Sequence, residues 1–150
     1  MCEQATSQVA PLDFAKQKIE FSQPRLLLAD DHDMMLERVL SLLHHYRVVG
    51  TAHNGRDLVT KALQLQPDLI VLDITMPILN GIDAVHELHE AGSTAKFVFL
   101  TIHQQPAFVD ACFAEGALGY VTKSHLGTDL LPAVNAALAG CRFISPSLPR

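Results

Sequence analysis

The sequence predicts an α/β protein, a doubly wound parallel sheet of five strands with helices on both faces. Two observations carry this prediction. Short apolar runs alternate with segments of helical period along the whole chain from Arg25, the pattern of repeated βαβ units. The runs themselves are almost unbroken Leu, Ile, Val and Phe rather than alternating polar and apolar, as expected of strands buried on both faces.

Taken in order, "RLLLA" (25–29) is the first strand and "DMMLERVLSLLHH" (33–45) the first helix, with Met35, Leu36, Val39, Leu40 and Leu43 forming one apolar face. "YRVVGTA" and "GRDLVTKALQL" form the second pair, and Asn54 is placed to cap the helix. "DLIVLD" and "GIDAVHELHEA" follow, joined by Met76-Pro77 and Gly81. That turn should expose Asp73, with Pro fixing φ and Gly allowing a positive φ. "KFVFLT" precedes "PAFVDACFAEG", in which Phe108, Val109, Cys112 and Phe113 share a face. "ALGYVTK" leads to "TDLLPAVNAALAG", whose Pro132 falls near the first turn if Thr128 is the cap. Asp33 is read as the cap of the first helix, and Gly92, Gly116 and Gly140 stand where helices should stop.

Residues 1–23 are polar, weakly patterned and closed by Gln23-Pro24, and read as a flexible leader. The folded domain should span residues 24–140, with "CRFISPSLPR" (141–150) as a linker or tail. The chain has 150 residues, enough for one domain with its own core. No apolar run approaches the ~20 residues of a membrane helix, and no basic stretch precedes an apolar one at the N-terminus. A net charge of −5 gives no basic field for nucleic acid or anionic lipid. The three cysteines, Cys2, Cys112 and Cys141, share no metal or redox spacing and are expected to be free thiols.

The chemistry lies at the carboxyl ends of the strands, where ligands of doubly wound sheets bind. Asp30 and Asp31 follow the first strand, Asp73 the third, Thr101 closes the fourth and Lys123 follows the fifth. Asp30, Asp31 and Asp33 also crowd three carboxylates into "DDHD". Like charges so close raise one another's pKa unless water or a cation sits among them, so these are either solvated turn residues or metal ligands. The histidine pairs His86/His89 and His44/His45 lack a third ligand in sequence and read as solvated surface.

The blocks "LLLADDHDMM", "DLIVLDITMPILNGIDA", "FVFLTIHQQ" and "GALGYVTK" resemble the receiver domains of response regulators, the phosphoacceptor modules of two-component signalling. The resemblance covers residues 25 to about 145. The closing "AGCRFISPSL" and "GYVTKS" are similar to receivers that precede a LuxR-type helix-turn-helix domain. It implies a flavodoxin-like sheet in the order 2-1-3-4-5 and a phosphoryl group accepted by Asp73. Asp30, Asp31, Asp73 and the backbone carbonyl of Thr75 would hold Mg²⁺. Thr101 and Lys123 would contact the phosphoryl oxygens, and Tyr120 would turn inward with Thr101 as the switch. Thr75, Ile102 and His103 would set the rate of self-dephosphorylation, with the bulk of Ile102 narrowing access and making it slow.

The resemblance further implies a sensor histidine kinase as donor, a cytoplasmic location and an output face formed by the fourth helix, fifth strand and fifth helix that controls a homodimer or a transcriptional domain. A DNA reader would need further residues beyond Arg150. A stand-alone or phosphorylation-independent receiver acting by dimerisation is the alternative. A haloacid-dehalogenase-like phosphatase would need a second Asp two residues after its nucleophile. Asp73-Ile74-Thr75 lacks one, and in Asp31-His32-Asp33 the second Asp should begin a helix. A flavin carrier would need hydroxyls and glycines, not carboxylates, after the first strand.

Overall fold

The computed structural model describes residues 23–148. The strands are β1 (Arg25–Ala29), β2 (Arg47–Ala52), β3 (Leu69–Leu72), β4 (Lys96–Thr101), β5 (Gly119–Thr122) and β6 (Phe143–Ile144). The helices are α1 (Asp33–Leu42), α2 (Gly55–Leu65), α3 (Gly81–Glu90), α4 (Pro106–Ala114) and α5 (Leu126–Leu138), the last preceded by a 3₁₀ turn at Lys123–His125. All six strands are parallel in the order β2-β1-β3-β4-β5-β6, so the anticipated five-stranded order holds and gains a sixth member. The leader predicted at 1–23 falls almost entirely outside the described residues.

Strand alternation divides the core in two. Leu27, Ile70, Leu72, Phe97, Phe99 and Tyr120 face α2, α3 and α4, meeting Leu58, Ala62, Val85, Leu88 and Cys112. Leu26, Leu28, Leu69, Val71, Val98 and Val121 face α1 and α5, meeting Leu36, Val39, Leu43, Leu130 and Val134. Both sheet faces are therefore dry, which explains strands without polar alternation. Each fully buried Leu, Ile or Phe contributes about 1.5–3 kcal/mol, so the sheet holds its carboxyl edge rigidly. Within α1 the predicted apolar face is narrower than its sequence, since Leu40 is 37 % exposed.

Several local expectations change. Asp33 is the first helical residue of α1, not its cap, and turns its carboxylate to His53 Nε2 at 2.7 Å. Helix α5 begins at Leu126, so Pro132 sits well inside it rather than in a first turn capped by Thr128. Gly81 is not among the residues with positive φ; a Cβ there would lie 2.1 Å from the Asp73 carbonyl oxygen, so the requirement is close approach. The positive φ of that loop, +72°, falls on Ile78. Asn54 caps α2 as expected, and Asn80 caps α3 in the same way through the Asp83 amide at 2.9 Å. Gly92, Gly116 and Gly140 all take positive φ after α3, α4 and α5.

The C-terminal segment is no free linker. Phe143 and Ser145 amides donate to the Leu118 and Tyr120 carbonyls, the Ser145 hydroxyl donates to buried Asp129 at 2.7 Å, and Leu148 is buried with Tyr120 in the first core cluster. Arg142 lies over the Phe113 ring at 4.9 Å. The edge of β5 is thus already paired. Cys112 is a buried free thiol, whereas Cys141 is disulfide-bonded, which corrects the expectation of free thiols at that position. Among the described residues no helix is long and apolar enough to cross a membrane.

Candidate functional site at the carboxyl edge of the sheet

Strand ends bring the predicted residues together. β1 ends in Asp30 and Asp31, and the Asp30 amide is tied to the Ala52 carbonyl of β2; β3 delivers Asp73, whose amide is tied to the Ala29 carbonyl of β1. Both carboxylates are buried, Asp30 3 % and Asp73 5 % exposed. From β5, Lys123 reaches across so that its Nζ lies 2.7 Å from Asp30 Oδ2 and 3.0 Å from Asp73 Oδ2. The remaining oxygens are partly satisfied by main chain. Asp30 Oδ1 accepts the His32 amide at 2.9 Å and Asp73 Oδ1 the Ile74 amide at 2.7 Å.

Electrostatically the site is short of positive charge. Burial pulls the Lys123 ammonium pKa down, but hydrogen bonds to Asp30 and Asp73 and their charges outweigh it, and the net shift is upward. One ammonium against Asp30, Asp31 and Asp73 leaves an excess of about two negative charges in a poorly hydrated notch, which a divalent cation would neutralise. Asp31 supplies an independent sign: its Oδ1 is buried and has no hydrogen-bond partner. An orphaned buried carboxylate oxygen is expensive. Asp30 and Asp31 offer carboxylate oxygens within 4.8 Å of each other, with the Asp73 carboxylate joined to Asp30 through Lys123, donors of the kind that suits Mg²⁺. The residues present fit that ion.

Thr101 is fully buried at the end of β4, and its Oγ1 accepts the His103 amide at 3.3 Å. Tyr120 lies inward, fully buried, its hydroxyl donating to the His103 carbonyl at 2.7 Å. Burial, together with the Cys112 and Asp73 charges, raises its pKa, so the phenol stays a neutral donor. Thr75 and His103, separate candidates in sequence, are partners here: Oγ1 and Nε2 lie 2.7 Å apart, joining the β3–α3 and β4–α4 loops. The His103 ring stacks on Phe108 with centroids 4.1 Å apart. Beside this bridge opens a cavity of about 380 Å³ walled by Thr75, Met76, Ile82, His103 and Phe108. Ile102 is 70 % exposed and directs its bulk to solvent.

Residues 26–135 match the family described as the response regulator receiver domain. This chain belongs to that family. It is 32 % identical over 127 residues to the response regulator GacA of Pseudomonas viridiflava, covering 83 % of this chain and 59 % of the relative. It is 34 % identical over 126 residues to the nitrate/nitrite response regulator protein NarL of Escherichia coli K12, covering 82 % and 58 %. The receiver thus spans about three fifths of these relatives' length. Among solved structures, a LuxR-family two-component response regulator from Aurantimonas superposes with a TM-score of 0.80 at 35 % identity, covering 85 % of this chain and 93 % of that one.

The residue that sequence reasoning passed over is His32. It stands between Asp31 and Asp33, and its Nδ1 lies 3.3 Å from Asp30 Oδ1 and 3.1 Å from Asp31 Oδ1. Its position directly after the acidic pair was the only signal available. Asp33, whose spacing from Asp31 had suited a phosphatase, faces His53 instead.

Proposed function

We propose that this receiver accepts a phosphoryl group on Asp73 from the phosphohistidine of a sensor histidine kinase and passes the change to an output. The observation that carries the reading is Lys123 bridging Asp30 and Asp73 beside the orphaned Asp31 oxygen. A carboxylate oxygen of Asp73 attacks phosphorus as the bond to the donor nitrogen breaks, the electron pair staying on that nitrogen. Mg²⁺, held by Asp30, Asp31, Asp73 and the Thr75 carbonyl, would neutralise the charge on the phosphoryl oxygens. Lys123 stabilises one of those oxygens and releases its hold on Asp73. Thr101 presents its hydroxyl to another, and Tyr120 stays inward behind it.

The chain performs no turnover beyond its own phosphorylation and slow self-dephosphorylation, with Thr75 and His103 setting the approach of water; Ile102, 70 % exposed, does not narrow it as its bulk had suggested. The Thr75–His103 bridge closes one side of that approach. The switch is read on the face of α4, β5 and α5. Because β6 and Leu148 already cover the β5 edge and part of α4, homodimerisation or an output domain must use this face as completed by the C-terminal segment. Relatives of this receiver include proteins named as transcriptional regulatory proteins, so a transcriptional output and a cytoplasmic setting belong to the same proposal. Incubation with phosphoramidate and Mg²⁺ followed by intact mass tests it. One phosphoryl adduct on the native chain and none on Asp73→Asn is expected; an adduct on both, or on neither, overturns the assignment.

A further inference from the structure

We infer that Ser145 is a positioning residue for Lys123, which makes residues 143–148 part of the phosphoacceptor apparatus rather than a tail attached to it. The inference rests on the proposed function, in which Lys123 grips the incoming phosphoryl group. β6 pairs with β5 only as far as Tyr120, opposite Ile144. The Thr122 amide lies beyond that pairing, and the Ser145 hydroxyl oxygen accepts it at 3.0 Å. The hydroxyl proton points the other way, to Asp129 Oδ2 at 2.7 Å, so the group is a fixed relay between the end of β5 and α5. Asp129 stands in the first turn of α5, where the helix dipole favours its negative charge.

Thr122 is where the position of Lys123 is set. It is the last residue of β5, it pairs in register with Thr101 of β4, and Lys123 follows it directly. From there Nζ must reach two carboxylates at 2.7 and 3.0 Å with a side chain 10 % exposed, which leaves little room to absorb a shift of the strand end. Thr122 and Ser145 are both fully buried, so without the hydroxyl the Thr122 amide is an unsatisfied buried donor. Turning that amide toward water carries Lys123 away from the reacting oxygens. Holding the segment in place does not need the hydroxyl, because Leu148 and Ile144 already pack into the core cluster of Tyr120 and the Ser145 amide donates to the Tyr120 carbonyl at 2.9 Å. Coupling of this kind is reciprocal: if the Ser145 relay favours phosphorylation, the phosphoryl group tightens the hold of Ser145 on β5.

The test is the initial rate at which phosphoramidate and Mg²⁺ give the phosphoryl adduct on the native 150-residue chain and on Ser145→Ala, read by intact mass, together with amide exchange across residues 143–148 of the native chain before and after phosphorylation. A rate about tenfold lower in Ser145→Ala is expected, with slower exchange in the segment once Asp73 carries the phosphoryl group. The exchange measurement needs no variant, and a segment that merely packs on the sheet would not respond to the phosphoryl group. A native rate in Ser145→Ala, or exchange that phosphorylation leaves unchanged, overturns the inference while leaving Asp73 as the acceptor. A native chain that takes no adduct overturns this inference and the proposed function together.

Discussion

Replacing Lys123 by Met is the most informative perturbation of the fold. The ammonium lies within 3.0 Å of both Asp30 and Asp73, and the side chains of all three residues are no more than 10 % exposed. Removing one partner of a buried ion pair costs about 3–5 kcal/mol, and the lower end applies because the neighbouring Asp31 side chain is 29 % exposed. Mg²⁺ at a hundredfold over its dissociation constant stabilises native chain and variant alike by about 2.7 kcal/mol, so the deficit narrows only as far as the variant binds the ion more tightly, by about 1.4 kcal/mol for each tenfold. The expected result in urea unfolding is therefore a large deficit for Lys123→Met in chelator that narrows in saturating Mg²⁺, because carboxylates freed of the ammonium bind the ion more tightly. The raised Lys123 pKa fixes the alkaline behaviour too. A base whose folded pKa exceeds its ordinary 10.5 contributes fully below that pH and loses its contribution as pH climbs above it. The native chain should thus lose stability above pH 10.5 more steeply than the variant. A deficit under about 1 kcal/mol, or one indifferent to Mg²⁺, would refute the charge account.

Other outcomes follow from single contacts. Ile78 is β-branched, 78 % exposed and at φ +72°, so Ile78→Gly should raise stability by about 1 kcal/mol, visible as a higher Tm; an unchanged or lower Tm would mean the loop is not strained. Ser145→Ala leaves buried Asp129 short of its 2.7 Å donor and should cost about 1–3 kcal/mol while speeding hydrogen exchange in residues 141–148. Burial pushes the Cys112 thiol up to about 12, so a thiol reagent at neutral pH should modify it only on unfolding; rapid labelling of native protein would contradict the packed α4 face.

The first five strands and the residues at their ends were legible because each depends on a local rule: an apolar run, then a polar residue where the run stops. Asp30, Asp73 and Lys123 meet because parallel strands of similar length end at one edge, with Asp31 and Thr101 at the ends of the same sheet. What escaped depends on partners distant in sequence. Phe143–Ile144 between Cys141 and Pro146 looks like a linker, and only the β5 edge and the Asp129 carboxylate turn it into a strand. The Gly81 requirement was visible but its reason was not, since nothing local announces the Asp73 carbonyl 2.1 Å from an added Cβ. The start of α5 was misplaced because Thr128 is a good cap by type, while Leu126 is drawn into the helix by full burial. Thr75 and His103 were named separately; their contact spans 28 residues.

A Mg²⁺ titration followed by backbone amide resonances tests the convergence of these groups most directly. Asp30, Asp31, Asp73, Thr75 and Lys123 should shift together along one saturating curve, with the Lys123 response reflecting ammonium set free from Asp73. Shifts that saturate at different concentrations, or a set of five that stays silent while another part of the molecule responds, would contradict a single cation site at the carboxyl edge of the sheet.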